Sequence, residues 1–176
     1  MKRDMAMFIV IGLFAMVIAV NGYAAEGVIK ATASWVAVGR YYQVKAKQAL
    51  FVGALEGRMF LESKQGDLDE AKIVCPGMIE INLDSGAQSG QGRCIITTHS
   101  EDHVYASWNC AGEYTQGCAG DFQLLGGTGK LEKITGNSKF KIRSDMVTSA
   151  VAPEGGSLEG TASGIAVWPA LTYRIP

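Results

Sequence analysis

The chain has 176 residues, 48% of them apolar, and near-balanced charge, with 16 Lys and Arg against 17 Asp and Glu. That length supports one domain burying on the order of two thirds of its surface, and no linker or fixed-period repeat divides it. The balance argues against a nucleic-acid partner, because such proteins neutralise phosphates with a basic face or tract.

Lys2 and Arg3 precede a 16-residue apolar run, Met5 to Val20, that ends in Asn21-Gly22-Tyr23-Ala24-Ala25. This order reads as a secretory signal peptide. The positive start stays at the cytoplasmic face, the apolar run enters the export channel, and small residues admit a peptidase that cuts after Ala24. The expected organisation is a signal helix over residues 1–24 and one exported domain over 25–176, periplasmic or secreted. A retained anchor is the alternative, because the run falls just short of the ~17–25 residues of a bilayer span. No basic cluster follows the run to stop transfer, so the mature protein is expected to leave the membrane. Cleavage leaves 14 basic and 16 acidic residues, a net charge of −2.

Beyond the signal, short alternating or apolar runs broken by glycine predict strands and tight turns. The expected strands are Val28 to Val38, Tyr42 to Ala54, Arg58 to Glu62, Gly77 to Leu83, Arg93 to Thr98, His103 to Cys110, Cys118 to Leu125, Asn137 to Arg143 and Ser157 to Val167. Only Gly66 to Lys72 reads as a helical turn. Alternation is cleanest at Val104, Ala106 and Trp108, which share one strand face, with His103, Tyr105, Ser107 and Asn109 on the other. Lys139, Lys141 and Arg143 alternate with Phe140 and Ile142 in the same way and read as a wet strand face. The fold class is all-β: a single antiparallel β-barrel of about eight strands, since closure removes exposed edges most simply. After Trp168, Pro169 should interrupt the last strand, and the apolar tail should pack on the barrel or on a partner.

The four cysteines, Cys75, Cys94, Cys110 and Cys118, all lie in the exported part, where an even count favours disulfides. Cys110 and Cys118 bracket a hairpin-like loop centred on Tyr114, so they are expected to pair, leaving Cys75 with Cys94. One tetrahedral zinc is the alternative, but structural zinc prefers close CxxC pairs, and no metal is expected. The only histidine cluster, His99-Ser100-Glu101-Asp102-His103, has ligand chemistry, yet a solvated turn explains it. Asp67 and Asp69 read as surface-turn residues. No serine sits in a GxSxG elbow, and oxidised cysteines are poor nucleophiles.

The stretch Phe122-Gln123-Leu124-Leu125-Gly126-Gly127-Thr128-Gly129-Lys130-Leu131-Glu132-Lys133-Ile134-Thr135-Gly136 resembles the strand, GGTG turn and following segment of the dirigent and allene oxide cyclase-like β-barrels. It is similar also to uncharacterised exported bacterial proteins carrying GGTG-x4-I-T-G after a cysteine-bracketed hairpin. The resemblance implies an eight-stranded antiparallel barrel with an apolar interior, and Gly126, Gly127, Thr128 and Gly129 as a turn at the barrel rim. It covers about fifteen residues. The aromatic and basic residues usual in dirigent-like proteins are replaced here by Leu131 and Ile134, so the resemblance carries fold and leaves activity open. The same glycines lack the spacing of a phosphate-binding P-loop.

Trp35, Phe51, Tyr105, Trp108, Phe122 and Phe140 are the candidates for lining a ligand pocket in the barrel, and a plain filled core would use the same residues. The leading expectation is a non-enzymatic exported barrel without cofactors that binds a small apolar ligand or serves a structural role in the envelope. The alternative is a pocket-type cyclase or isomerase, and assembly into a homo-oligomer is a further expectation.

Overall fold

The computed structural model describes residues 24–62, 68–146 and 156–176. The expected signal peptide therefore lies outside the described residues, apart from Ala24. Eight strands follow one another: β1 (Ala25–Lys45), β2 (Gln48–Glu62), β3 (Leu68–Asn82), β4 (Ala87–Thr97), β5 (His103–Glu113), β6 (Gly117–Gly127), β7 (Thr135–Met146) and β8 (Ser157–Ile175). Each pairs antiparallel with its sequence neighbour, and β1 pairs with β8, which closes the barrel.

Alternation places the core. On β1 the buried residues are Ala31, Ala33, Trp35 and Ala37, while Thr32, Ser34, Val36 and Val38 face outward. Outward positions beside the Trp35 row carry Glu56 and Arg58, and elsewhere the outer wall carries Arg93, Asp121, Lys139 and Lys141. The interior is apolar, and the outer wall mixes these charges with exposed apolar residues such as Val36, Val38, Ile165 and Val167.

Large interior rings fit because glycines lie beneath them. A side chain at Gly92 would run into the Trp108 indole, one at Gly164 into Trp35, and one at Gly160 into Tyr41. Aromatic rings over strand glycines restore the packing that a missing side chain forfeits. At the centre, Trp168 lies 5.3 Å from Phe122 edge-on and 6.0 Å from Phe140 stacked, with Phe122 and Phe140 6.2 Å apart. Such pairs contribute about 0.5–1.5 kcal/mol each beyond their burial.

Both disulfides sit on the inward face. Cys75 and Cys94 lie on adjoining strands β3 and β4, Cα atoms 4.1 Å apart, whereas Cys110 and Cys118 are joined at 5.6 Å. The second bridge runs diagonally, because the ladder sets Cys110 opposite Gly120 and Cys118 opposite Gly112. Sequence separations of 19 and 8 correspond to about 3 and about 2.5 kcal/mol of restricted unfolded-chain entropy.

The structure corrects several expected boundaries. Tyr42–Ala54 is not one strand: a turn at Ala46-Lys47 separates β1 from β2, with Lys47 at φ 78° and no Gly, Pro or Asn to announce it. The second half of that segment and Arg58–Glu62 form one strand, in which Gly57 is the inward partner of Trp35 and not a break. Leu68–Lys72 opens β3 and is no helical turn, while Gly66 and Asp67 lie outside the described residues. Pro169 interrupts the ladder without ending the strand: the pairing of β8 with both neighbours shifts register around it, and β8 continues to Ile175. Proline is tolerated in a strand at such a bulge.

Candidate functional site

The two ends of the barrel differ. At the hairpin end the β1–β2, β3–β4 and β5–β6 turns are laced together, with Leu83 N–H donating to Lys47 O at 2.9 Å and Tyr114 N–H to Gly86 O at 2.8 Å. At the other end, here called the terminal end, Ala25 meets Ile175 alongside the β4–β5 and β6–β7 connections.

The glycine-rich turn, Gly126 to Gly129, lies at the terminal end. Gly126, one residue before the end of β6, lies at φ 136° opposite Tyr105, and the register shift there leaves Leu125 as a bulge. Thr128 is clamped to the first residue of β5: its N–H donates to His103 O at 2.9 Å, and its Oγ1 accepts from His103 N–H at 2.8 Å. Gly129, at φ 53°, begins a 3-10 turn, Gly129–Leu131, and a side chain there would collide with the Asp102 carboxylate. The positive φ favours glycine there. This anchoring brings Leu131 and the buried Ile134 over the barrel end, where both join an apolar cavity.

That cavity is a cup of about 440 Å³. Met59, Ile96, Leu124 and Leu171 form buried parts of its wall, and Ile29 and Leu61 lie nearer the mouth. Polar groups are few: Asp69, Thr98 and Tyr173. The volume and the sparse polar lining are those of a small-molecule site.

Deeper in, the lumen is filled. Trp35, Trp108, Phe122 and Phe140 are inward and buried, and the space they leave with Trp168 is about 40 Å³. Phe51, also buried, helps line a second space of about 60 Å³ toward the hairpin end, beside Tyr41, Gln88, Tyr114 and Ser144. Tyr41 stacks obliquely on Phe51 at 4.9 Å. Burial, and then the neighbouring Tyr114 hydroxyl, push the Tyr41 phenol up to about 12, so it stays a neutral donor. Burial also raises Tyr114, partly offset by its hydrogen bond with Tyr41. The indole N–H groups of Trp35, Trp108 and Trp168 are buried without an acceptor among the described residues, a cost of about 1–3 kcal/mol each.

Tyr105 is a correction. It lies on the outer wall, 41% exposed, because β5 alternates and Val104, Ala106 and Trp108 take the inward positions. His99 and His103 occupy the β4–β5 connection and its edge, where His103 Nδ1 lies 3.2 Å from Thr97 Oγ1. Among the described residues no three metal-ligating side chains converge. A wider concavity, about 1030 Å³, lies on the outer wall across β3 to β8. There Lys139 is paired with Asp121 at 2.6 Å and both are largely exposed, and Glu80, Gln91, Asn109 and Lys141 share the lining, which is more polar than that of the cup.

Asp69 is the cup residue that the turn reading misplaced. The signal that locates it is the alternation Asp69-x-Ala71-x-Ile73-x-Cys75, which sets Asp69 on the face of three buried neighbours.

The molecule is thus an eight-stranded antiparallel closed barrel with an aromatic-filled centre, two internal disulfides and an apolar cup at one end. Compared with known proteins, the chain matches no family model, no curated protein and no solved structure.

Proposed function

We propose that the protein is an exported, non-enzymatic barrel that holds a small apolar molecule in the cup at its terminal end. The observation that carries this reading is the contrast in space: about 440 Å³ of apolar cavity at the end against about 40 and 60 Å³ inside. The disulfides fit an oxidising compartment, in keeping with the amino-terminal signal pattern. A cyclase or isomerase of the dirigent or allene oxide cyclase kind would act on substrate among polar groups inside the barrel. The polar groups here gather around the 60 Å³ space, well below the ~300–1,000 Å³ of ligand pockets, which disfavours that alternative.

Two measurements test the proposal. Native mass spectrometry of the mature protein, purified gently from its own exporting cell, should show an adduct that leaves on denaturation. A polarity-sensitive neutral fluorophore should bind one-to-one, and Leu131→Glu, at the cup's half-buried edge, should weaken it at least tenfold. A clean apo mass together with no saturable fluorophore binding overturns the proposal and leaves a structural role in the envelope.

A further inference from the structure

The cup contains one ionised side chain among the described residues, and its sign narrows the ligand. Ala71, Ile73 and Cys75 of β3 are buried on the inward face, and Asp69 precedes them by two residues, opposite Leu61 of β2. Strand alternation therefore sets Asp69 on the lumen side at the mouth, below which the wall is aliphatic. One carboxylate oxygen, Oδ1, accepts the Glu70 N–H at 2.8 Å. The ion pairs among the described residues are Arg40–Glu159, Lys47–Asp84, Arg58–Glu70 and Lys139–Asp121, and Asp69 belongs to none of them. Arg58 in particular is turned to Glu70 on the outer wall, at 2.7 Å. The other polar groups of the cup, Thr98 and Tyr173, are neutral hydroxyls. Lys130 and Lys133, in the segment that covers the end, are exposed and do not line the cup.

We propose that the molecule held in the cup is a cationic amphiphile: an apolar body seated against Met59, Ile96 and Leu171, with an ammonium-type head at the mouth beside Asp69. This rests on the cup being the binding site. A carboxylate at the mouth of an apolar cavity attracts a cationic head and repels an anionic one. Because the mouth is wet, the preference is salt-sensitive.

The test uses three ligands of one chain length, decylamine, decanol and decyl sulfate, each below its micelle concentration and displacing a neutral fluorophore from the mature protein. Decylamine should bind about tenfold more tightly than decyl sulfate at low salt, with decanol between them, and added salt should narrow the gap. Asp69→Asn keeps an oxygen for the Glu70 N–H, so it should fold normally; it should bring the three affinities together while leaving decanol unchanged. Decanol binding without head-group preference, or a preference that survives Asp69→Asn, overturns this proposal and leaves the cup reading intact. Failure of all three to bind the folded protein overturns both.

Discussion

Phe122→Ala tests whether the barrel centre is filled as described. Phe122 is 1% exposed and touches the two other rings of the central cluster, at 5.3 Å from Trp168 and 6.2 Å from Phe140. Truncating a buried Phe costs about 3–5 kcal/mol through lost transfer and the cavity left behind. Loss of two aromatic contacts, each about 0.5–1.5 kcal/mol, and a wall held by strand ladders that cannot collapse, put this site in the upper part of that range. Against the 5–15 kcal/mol of an ordinary domain, the variant should fold with its urea midpoint sharply lowered. Urea unfolding with disulfides intact, followed by tryptophan fluorescence and near-ultraviolet circular dichroism, measures the loss. The new space would adjoin the existing 40 Å³ and be apolar, the kind of cavity that takes up benzene. Saturating benzene should then recover part of the lost stability in Phe122→Ala, a gain larger than any it gives the wild type through the cup. A loss below about 2 kcal/mol, with no response to benzene, would refute a filled lumen at this height.

Thr128→Ala removes the acceptor of the His103 N–H while the strand start stays in place. A drop of about 1–2 kcal/mol is expected, with Thr128→Ser restoring most of it; equal stability of the two variants would contradict the clamp. For Tyr41 the folded value, about 12, lies above the ordinary 10.0, so its contribution is fully present below pH 10 and is lost as pH rises from 10 to 12. Tyr41→Phe should flatten that part of the alkaline decline in urea midpoint, and an unchanged slope would remove Tyr41 as its source.

How much was legible in the sequence depended on what each residue answers to. Strand alternation reports which residues share a face, so Val104, Ala106 and Trp108 could be grouped from sequence apart from Tyr105, and burial shows that theirs is the inward face. The place of Tyr105 among pocket candidates came from residue type, which says nothing about face. The β1–β2 turn was hidden because Lys47 adopts a positive φ without a turn-forming residue. Gly57 was misread for the opposite reason: its role is to leave room opposite Trp35, and a turn signal and a space-making glycine look alike in one dimension. The disulfide pairing followed from spacing around a hairpin, a local property. The cup was not legible, since Ile29, Met59, Ile96 and Leu171 come from four strands that converge only when the barrel closes.

Closure itself constrains when the protein can become stable. The first and last strands share a ladder running from Ala25–Ile175 to Tyr42–Ser157, more extensive than those of β1 with β2 or of β2 with β3. Local hairpins can form as soon as their residues meet, but this ladder joins the ends of the domain and must await the final segment. Trp168 and Leu171, which complete the core and the cup, arrive on that same segment. A chain emerging amino end first would therefore stay open-sided until β8 appeared, and a truncation inside β8 would forfeit edge protection, core and cup together.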